Sequence, residues 1–229
     1  MSRRVALFDI DGTVFRSSLL IELVEAMIED GLFPPEAELD FGGAKIAWQN
    51  REASYEAYIQ AVIKTFIKHI KGVSYGDFAD LGRRLVAEQG RQVYRYTRDL
   101  IADLKAKHYY LVAISQSPKA ILDEFCQGYG FDKVYGRIYE IGPQDRLTGQ
   151  VIDEFLIQNK ANIVKRVFEH QSELSRQGSL AVGDTESDIP LLESVDRAIC
   201  FNPNQTLLDH ARLMKWEVVI ERKDVIYHL

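Results

Sequence analysis

The chain has 229 residues, of which 46% are hydrophobic, 27% charged and 10% aromatic, and a formal net charge of −6. That make-up is long enough and apolar enough to bury a full core, and it excludes disordered and fibrous classes. The acidic balance comes without any block of Lys and Arg, so the phosphate-neutralising stripe that nucleic-acid binding needs is absent from the sequence.

Met1-Ser2-Arg3-Arg4 runs directly into Val5-Ala6-Leu7-Phe8, without the apolar stretch and small-residue cleavage site of a secretory signal, and no apolar run is long enough to cross a bilayer. Cys126 and Cys200 stand far apart without CxxC spacing and read as buried small apolar residues. A cytoplasmic protein in a reducing compartment is expected, with neither nucleic acid nor membrane as a partner.

In chain order, the apolar run Val5 to Phe8 ends at Asp9; later runs, Tyr110 to Ile114 and Leu180 to Val182, end at Ser115 and at Gly183-Asp184. Each reads as a buried strand followed by turn chemistry and a helical pattern. Further strands are predicted at Arg197 to Phe201 and Trp216 to Ile220. The alternation predicts an α/β fold: a Rossmann-like three-layer core with a parallel sheet between helices. In such sheets ligands bind beyond the carboxyl ends of the strands, where the polar residues just named fall.

Between Phe15 and about His108 the pattern is helical almost throughout. Helices are predicted from Leu19 to Ile28, closed by Gly31 and Pro34-Pro35; from about Ala44 to Ile70, closed by Gly72; and near Asp77 to Glu88 and Gln92 to Lys105. This is an inserted all-helical cap domain at 16–108, with the core at 1–15 and 109–229. Tyr55, Tyr58, Val62 and Phe66 recur at helical spacing and are expected in the cap interior. Val134 to Tyr139 and Leu147 to Val151, with Gly142-Pro143 between them, predict a short hairpin.

The chemistry gathers at strand ends. Asp9-Ile10-Asp11-Gly12-Thr13 places two carboxylates at the end of an apolar strand, and Gly183-Asp184-Thr185-Glu186-Ser187-Asp188 adds two more at another. Acids crowded at one crevice repel each other unless a hard cation sits among the oxygens, and Mg²⁺, which takes one or two carboxylates with water and phosphate oxygens, is the natural occupant. The histidines at 69, 108, 170, 210 and 228 have neither HxH nor HExxH spacing, so no zinc site is expected.

Asp9-x-Asp11-Gly12-Thr13, a strand ending in Ser115, Lys160 in Asn159-Lys160-Ala161, and Gly183-Asp184-x-x-x-Asp188 resemble, in order, the four signature motifs of the haloacid dehalogenase (HAD) superfamily. The insertion between the first two motifs and the Ser-Gln-Ser-Pro second motif resemble its phosphoserine-phosphatase-like branch, subfamily IB. The resemblance implies a Mg²⁺-dependent phosphatase acting through an aspartyl-phosphate on a small phosphorylated metabolite. It implies that Asp9 is the nucleophile and Asp11 the general acid and base. By the same resemblance Asp9, the Asp11 backbone carbonyl and Asp184 hold the metal, with Asp188 supporting its surroundings. The resemblance implies that Ser115 and Lys160 clamp the substrate phosphate, and Gln116 and Ser117, directly after the second motif, are expected to offer it their backbone amides at a helix N-terminus. A carboxylate at position 11 favours phosphoryl transfer over carbon–halogen cleavage, since a halide leaves without a proton. A phosphomutase, or a phosphate-binding domain without catalysis, are the alternatives.

One position departs from the namesake. The glutamate that meets the substrate ammonium in phosphoserine phosphatases, nine residues past the nucleophile, is Ser18 here. A hydroxyl cannot replace that charge, so phosphoserine is not the favoured substrate. Glu22 one turn on, Lys45 and Arg51 as partners for an acidic group, and Trp48 and Tyr55 as stacking surfaces are weaker candidates for substrate contact.

Overall fold

The computed structural model describes residues 2–171 and 173–229. Eight strands and ten helices are present among these residues. The chain begins with β1 (Arg3–Asp9), followed by five helices: α1 (Leu19–Glu29), α2 (Ala37–Gln49), α3 (Tyr55–His69), α4 (Tyr75–Gln89) and α5 (Arg95–Ala106). Next come β2 (Tyr110–Pro118), α6 (Lys119–Tyr129), β3 (Lys133–Ile141), β4 (Leu147–Ile152), α7 (Glu154–Gln158) and α8 (Lys160–His170). The chain ends with β5 (Leu174–Gly183), α9 (Ile189–Leu192), β6 (Arg197–Phe201), α10 (Gln205–Met214), β7 (Glu217–Arg222) and β8 (Val225–His228).

The strands form one sheet in the order β4-β3-β2-β1-β5-β6-β7-β8. The six inner strands are parallel, and the edge strands β4 and β8 pair antiparallel with β3 and β7. The expected α/β class with helices on both faces is therefore observed, with antiparallel edges added to the parallel sheet.

Side-chain alternation along each inner strand builds two cores, because successive residues face opposite sides of a sheet. Ala6, Phe8, Leu111, Ala113, Leu180, Val182, Ile199 and Phe201 pack on one side with α5, α6 and the helices of the insertion. Val5, Leu7, Val112, Ile114, Ala181, Ala198 and Cys200 pack on the other with α8, α9 and α10. Strands buried on both faces explain the unbroken apolar runs of the sequence. Cys126 and Cys200 are buried in these cores, as expected.

The helix predicted from Ala44 to Ile70 is two helices. The chain turns at Asn50 to Ser54, where Arg51 adopts φ 65° and the Ser54 hydroxyl caps α3 by accepting from Ala57 N at 3.2 Å. No Gly or Pro marks this break; the Ser cap was the available signal. Tyr58, Val62 and Phe66 are buried as expected, but Tyr55 is only partly so. The hairpin at Val134 to Val151 forms as β3 and β4, and β3 also extends the main sheet through β2. β8 was not predicted; its run after Lys223 and Asp224 is only four residues long and lies mostly exposed at the sheet edge.

Helix α5 lies inside the 16–108 segment, yet it packs on the sheet. Ile101 and Leu104 join the core beside Leu111, Tyr96 stacks on Phe201 at 5.6 Å, and Glu221 accepts from Arg95 N and Tyr96 N at 3.1 and 2.8 Å. The outgoing and returning segments of the insertion run side by side, with Arg16 N donating to Gln92 O and Tyr94 N to Val14 O at 2.9 and 3.0 Å.

Candidate active site

Parallel register brings three strand ends together. Asp9 is level with Ile114, and Phe8 with Val182, so Asp9, Ser115 and Gly183-Asp184 emerge at one edge of the sheet. This is the crevice at carboxyl ends where α/β proteins bind ligands. Lys160 enters the same crevice as the first residue of α8, whose N-cap Asn159 accepts from Ala161 N at 2.9 Å.

Lys160 is only 4% exposed, although lysine is rarely buried without a partner. Its ammonium donates to Asp9 Oδ1 at 2.5 Å and to Asp188 Oδ1. Burial opposes its charge, but Asp188 and Asp9 outweigh burial and hold its pKa above the usual lysine value. Asp188, fully buried, accepts through its other oxygen from Asp184 N and Thr185 N, both at 3.0 Å. Both of its oxygens are thus engaged by the protein.

Asp9 and Asp184 are placed differently. Asp9 gives one oxygen to Lys160, and Asp184 gives one to the Thr13 hydroxyl at 3.2 Å; each keeps a second oxygen without a protein donor among the described residues. Burial, with Asp188 and Asp11 nearby, pushes Asp9 up to about 7. Burial and the charges of Asp9 and Asp188 likewise raise Asp184 well above the carboxylate range. One oxygen from each of Asp9, Asp184 and Asp188 lies within 4.8 Å of the others. This oxygen-only set, with more carboxylates than the single Lys160 ammonium can balance, fits a hard divalent cation. Gly12, at φ +80°, is part of the fit, since a Cβ there would overlap Asp184 Oδ2.

Asp11 sits apart from the cation-sized gap. Its Oδ1 accepts from Leu19 N at 2.6 Å and so caps α1, whose N-cap Ser18 makes no side-chain bond. Its Oδ2 accepts from the Ser117 hydroxyl at 2.8 Å and from the Ser115 hydroxyl. The carboxyl is thereby held between the sheet edge and the first helix of the insertion.

A cavity of about 280 Å³ opens over this group, lined by Asp9, Asp11, Gln116, Lys160 and Asp184 from the core and by Ser18, Tyr55, Glu56, Ile59, Gln60 and Ile63 from the insertion. Of the predicted site residues, Asp9, Lys160, Asp184 and Asp188 are joined by direct hydrogen bonds and the acidic cluster, Asp11 and Ser115 are bonded to each other, and Gln116 lines the cavity. Ser115 is buried behind Asp11 and does not line the cavity. Lys45, Trp48, Arg51 and Glu22 do not line it either: Lys45 pairs with Glu25 at 2.6 Å and Trp48 stacks on Tyr58.

Arg137 was not foreseen. It stands on β3 opposite Pro118, lines the cavity, and donates from Nε and Nη2 to Gln116 Oε1 at 3.1 and 2.7 Å. A charged residue between Gly136 and Ile138, amid Val134, Tyr135, Ile138 and Tyr139, was the signal, but its direction depended on how β3 pairs.

The model of the haloacid dehalogenase-like hydrolase family matches residues 6–193, a span that holds all four acids and Lys160. The chain belongs to that family. A phosphoserine phosphatase of Archaeoglobus fulgidus is 22% identical over 91% of this chain, which spans 55% of that relative's length. A histidinol-phosphatase of Neisseria meningitidis is 23% identical over 95% of this chain and 98% of its own. Among solved structures, a Bordetella pertussis protein of unknown function superposes with a TM-score of 0.73 at 20% identity, covering 96% of this chain and 99% of its own. A substrate-bound phosphoserine phosphatase superposes at 0.64 with 19% identity, over 98% and 95%. The protein is thus a haloacid dehalogenase-like hydrolase, and it shares the fold of solved phosphoserine phosphatases. No helix among the described residues is long and apolar enough to cross a membrane.

Proposed function

We propose that this HAD hydrolase is a Mg²⁺-dependent phosphatase that cleaves a small phosphomonoester through a phosphoryl group carried on Asp9. The observation that carries the proposal is the state of Asp9: one oxygen is pinned by Lys160, the other has no protein donor among the described residues, and the carboxylate stands in the acidic cluster with Asp184 at the wall of a cavity sized for a small metabolite.

In this reading the free Asp9 oxygen attacks phosphorus in line with the ester oxygen. The P–O ester bond breaks, and Asp11, as general acid, passes a proton to the departing alkoxide. Asp11 then takes a proton from water as that water attacks the aspartyl-phosphate, releasing inorganic phosphate and restoring Asp9. The hydrogen bonds from Leu19 N, Ser115 and Ser117 keep the Asp11 carboxyl directed for both transfers. Lys160 and the Gln116 region meet the phosphate oxygens, and Ser115, behind Asp11, positions that acid.

The metal would be held by Asp9, Asp184 and the Asp11 backbone carbonyl, with Asp188 orienting Lys160 and the 184–185 backbone. Bound there, Mg²⁺ supplies positive charge that offsets the repulsion between a carboxylate and a phosphate dianion. The core of 1–15 and 109–229 carries this chemistry, and the segment 16–108 covers it, supplying Tyr55, Ile59 and Ile63 to the cavity wall. Two relatives named for small phosphomonoesters support the substrate class.

Turnover of p-nitrophenyl phosphate with and without Mg²⁺, by the wild type and by Asp9→Asn, tests the proposal. Hydrolysis that needs the metal and vanishes in the variant is expected; activity that survives the substitution removes Asp9 from its role.

A further inference from the structure

We infer that Arg137 is a specificity-determining residue that receives a second, anionic group on the alcohol half of the substrate, a carboxylate in its simplest form. The inference rests on the phosphatase reading above and adds the charge of the leaving alcohol.

Two cations line the cavity, Lys160 and Arg137. Lys160 is neutralised by Asp9 and Asp188. Arg137 forms no ion pair among the described residues; the neutral Gln116 amide oxygen takes its Nε and Nη2. The Gln116 amide is itself oriented, because its Nε2 donates to Ile157 O at 2.8 Å, which leaves the oxygen for Arg137. The guanidinium is therefore fixed in direction, and its side-chain partners, Gln116 and the Tyr139 hydroxyl, are both neutral, so its charge has no ion-pair partner among the described residues. A half-buried, pre-oriented guanidinium in a confined cavity is suited to a planar anion, which it can meet with two parallel hydrogen bonds.

The other charges of the site agree. Ser18, 2% exposed, brings no negative charge to the cavity wall. Glu56 is the one acid of the cavity outside the cluster of Asp9, Asp11 and Asp184; it is exposed and accepts from Gln60 Nε2 at 2.8 Å, so solvent screens it. Lys45 and Arg51 lie off the cavity.

Three esters of similar size separate the possibilities: phosphoglycolate, ethyl phosphate and phosphoethanolamine carry an anion, nothing and a cation at the far carbon, and longer homologues of each cover the reach. Wild type is expected to favour the anionic over the neutral ester by about ten- to a hundredfold in kcat/KM, the value of a charge-assisted pair, with the cationic ester last. The preference should lie in KM. Arg137→Ala abolishes the preference and Arg137→Lys restores part of it. Titration of Asp9→Asn protein with phosphoglycolate and ethyl phosphate reads the same preference without turnover, and Arg137→Gln provides a second variant of similar length if the alanine form does not fold. An unchanged ratio in the variants, or an equal loss of kcat on all three esters, overturns the assignment and leaves the phosphatase reading standing. Absence of Mg²⁺-dependent turnover of all these esters and of p-nitrophenyl phosphate by wild type overturns both.

Discussion

Lys160 Nζ lies 2.5 Å from Asp9 Oδ1 across 151 positions of sequence, with both side chains almost wholly shielded from water. An ion pair in that setting contributes less by its attraction than by what its loss exposes, because each charge was desolvated to make it. Lys160→Met leaves Asp9 and Asp188 facing each other unpaired and should lower stability by about 3–5 kcal/mol. Thermal and urea unfolding read the loss. The double variant with Asp9→Asn should lose less than the sum of the two singles, and strict additivity would mean that the pair is not coupled.

The acidity of Asp9 makes stability depend on metal and pH together. Without metal its pKa of about 7 exceeds the usual 3.8, so between these values the folded chain keeps a proton that the unfolded chain has released. Stability of the metal-free protein should therefore be greatest below the lower value and fall as pH rises through the upper one; Asp184 acts in the same direction. Mg²⁺ competes with those protons, so its stabilising shift in Tm should be larger at about pH 8 than at about pH 5. Scanning fluorimetry with Mg²⁺ or with chelator measures this, and metal-free stability that climbs across the window contradicts it.

In the proposed reaction Asp11 serves the leaving-group side. Its replacement by Asn should slow hydrolysis of alkyl phosphates by about 10²–10⁴-fold, the usual contribution of a general acid. Nitrophenyl phosphate, whose phenolate leaves without help, should suffer less in the first step. Rapid-mixing assays that resolve the nitrophenol burst from steady-state turnover separate the two roles; identical losses on both ester classes in the burst would deny Asp11 the role of acid.

Gly12 admits no side chain for two reasons, its φ of +80° and its contact with Asp184. Gly12→Ala should cost about 1–2 kcal/mol from backbone strain alone and, by displacing Asp184, raise the Mg²⁺ concentration needed for half-maximal activity. A Mg²⁺ titration of turnover beside an unfolding curve distinguishes the two effects. Unchanged metal dependence would detach Asp184 from the cation.

Much of the site was legible because it lies where local chemistry is unusual. Carboxylates at the ends of buried strands, Asp9 and Asp184, are costly unless they serve a site, and the glycines at 12 and 183 mark the close approaches there. The strands were legible from apolar runs buried on both faces. The helix break at Asn50 to Ser54 was not, since both halves share one amphipathic pattern and tertiary packing chose where the chain turns. β8 was missed because an edge strand with one pairing partner needs little apolar pattern of its own.

By itself the sequence determined which acids, which lysine and which strands belong together in type and order, because covalent spacing preserves motifs whatever the packing. The tertiary structure alone decided directions. It buried Lys160, which composition would leave in water, turned Ser115 behind Asp11, removed Lys45 and Arg51 from the substrate cavity and brought Arg137 into it. Those outcomes depend on strand register and on which helix face meets the sheet, and such long-range pairings are set by the summed burial of the whole core rather than by neighbours in the chain.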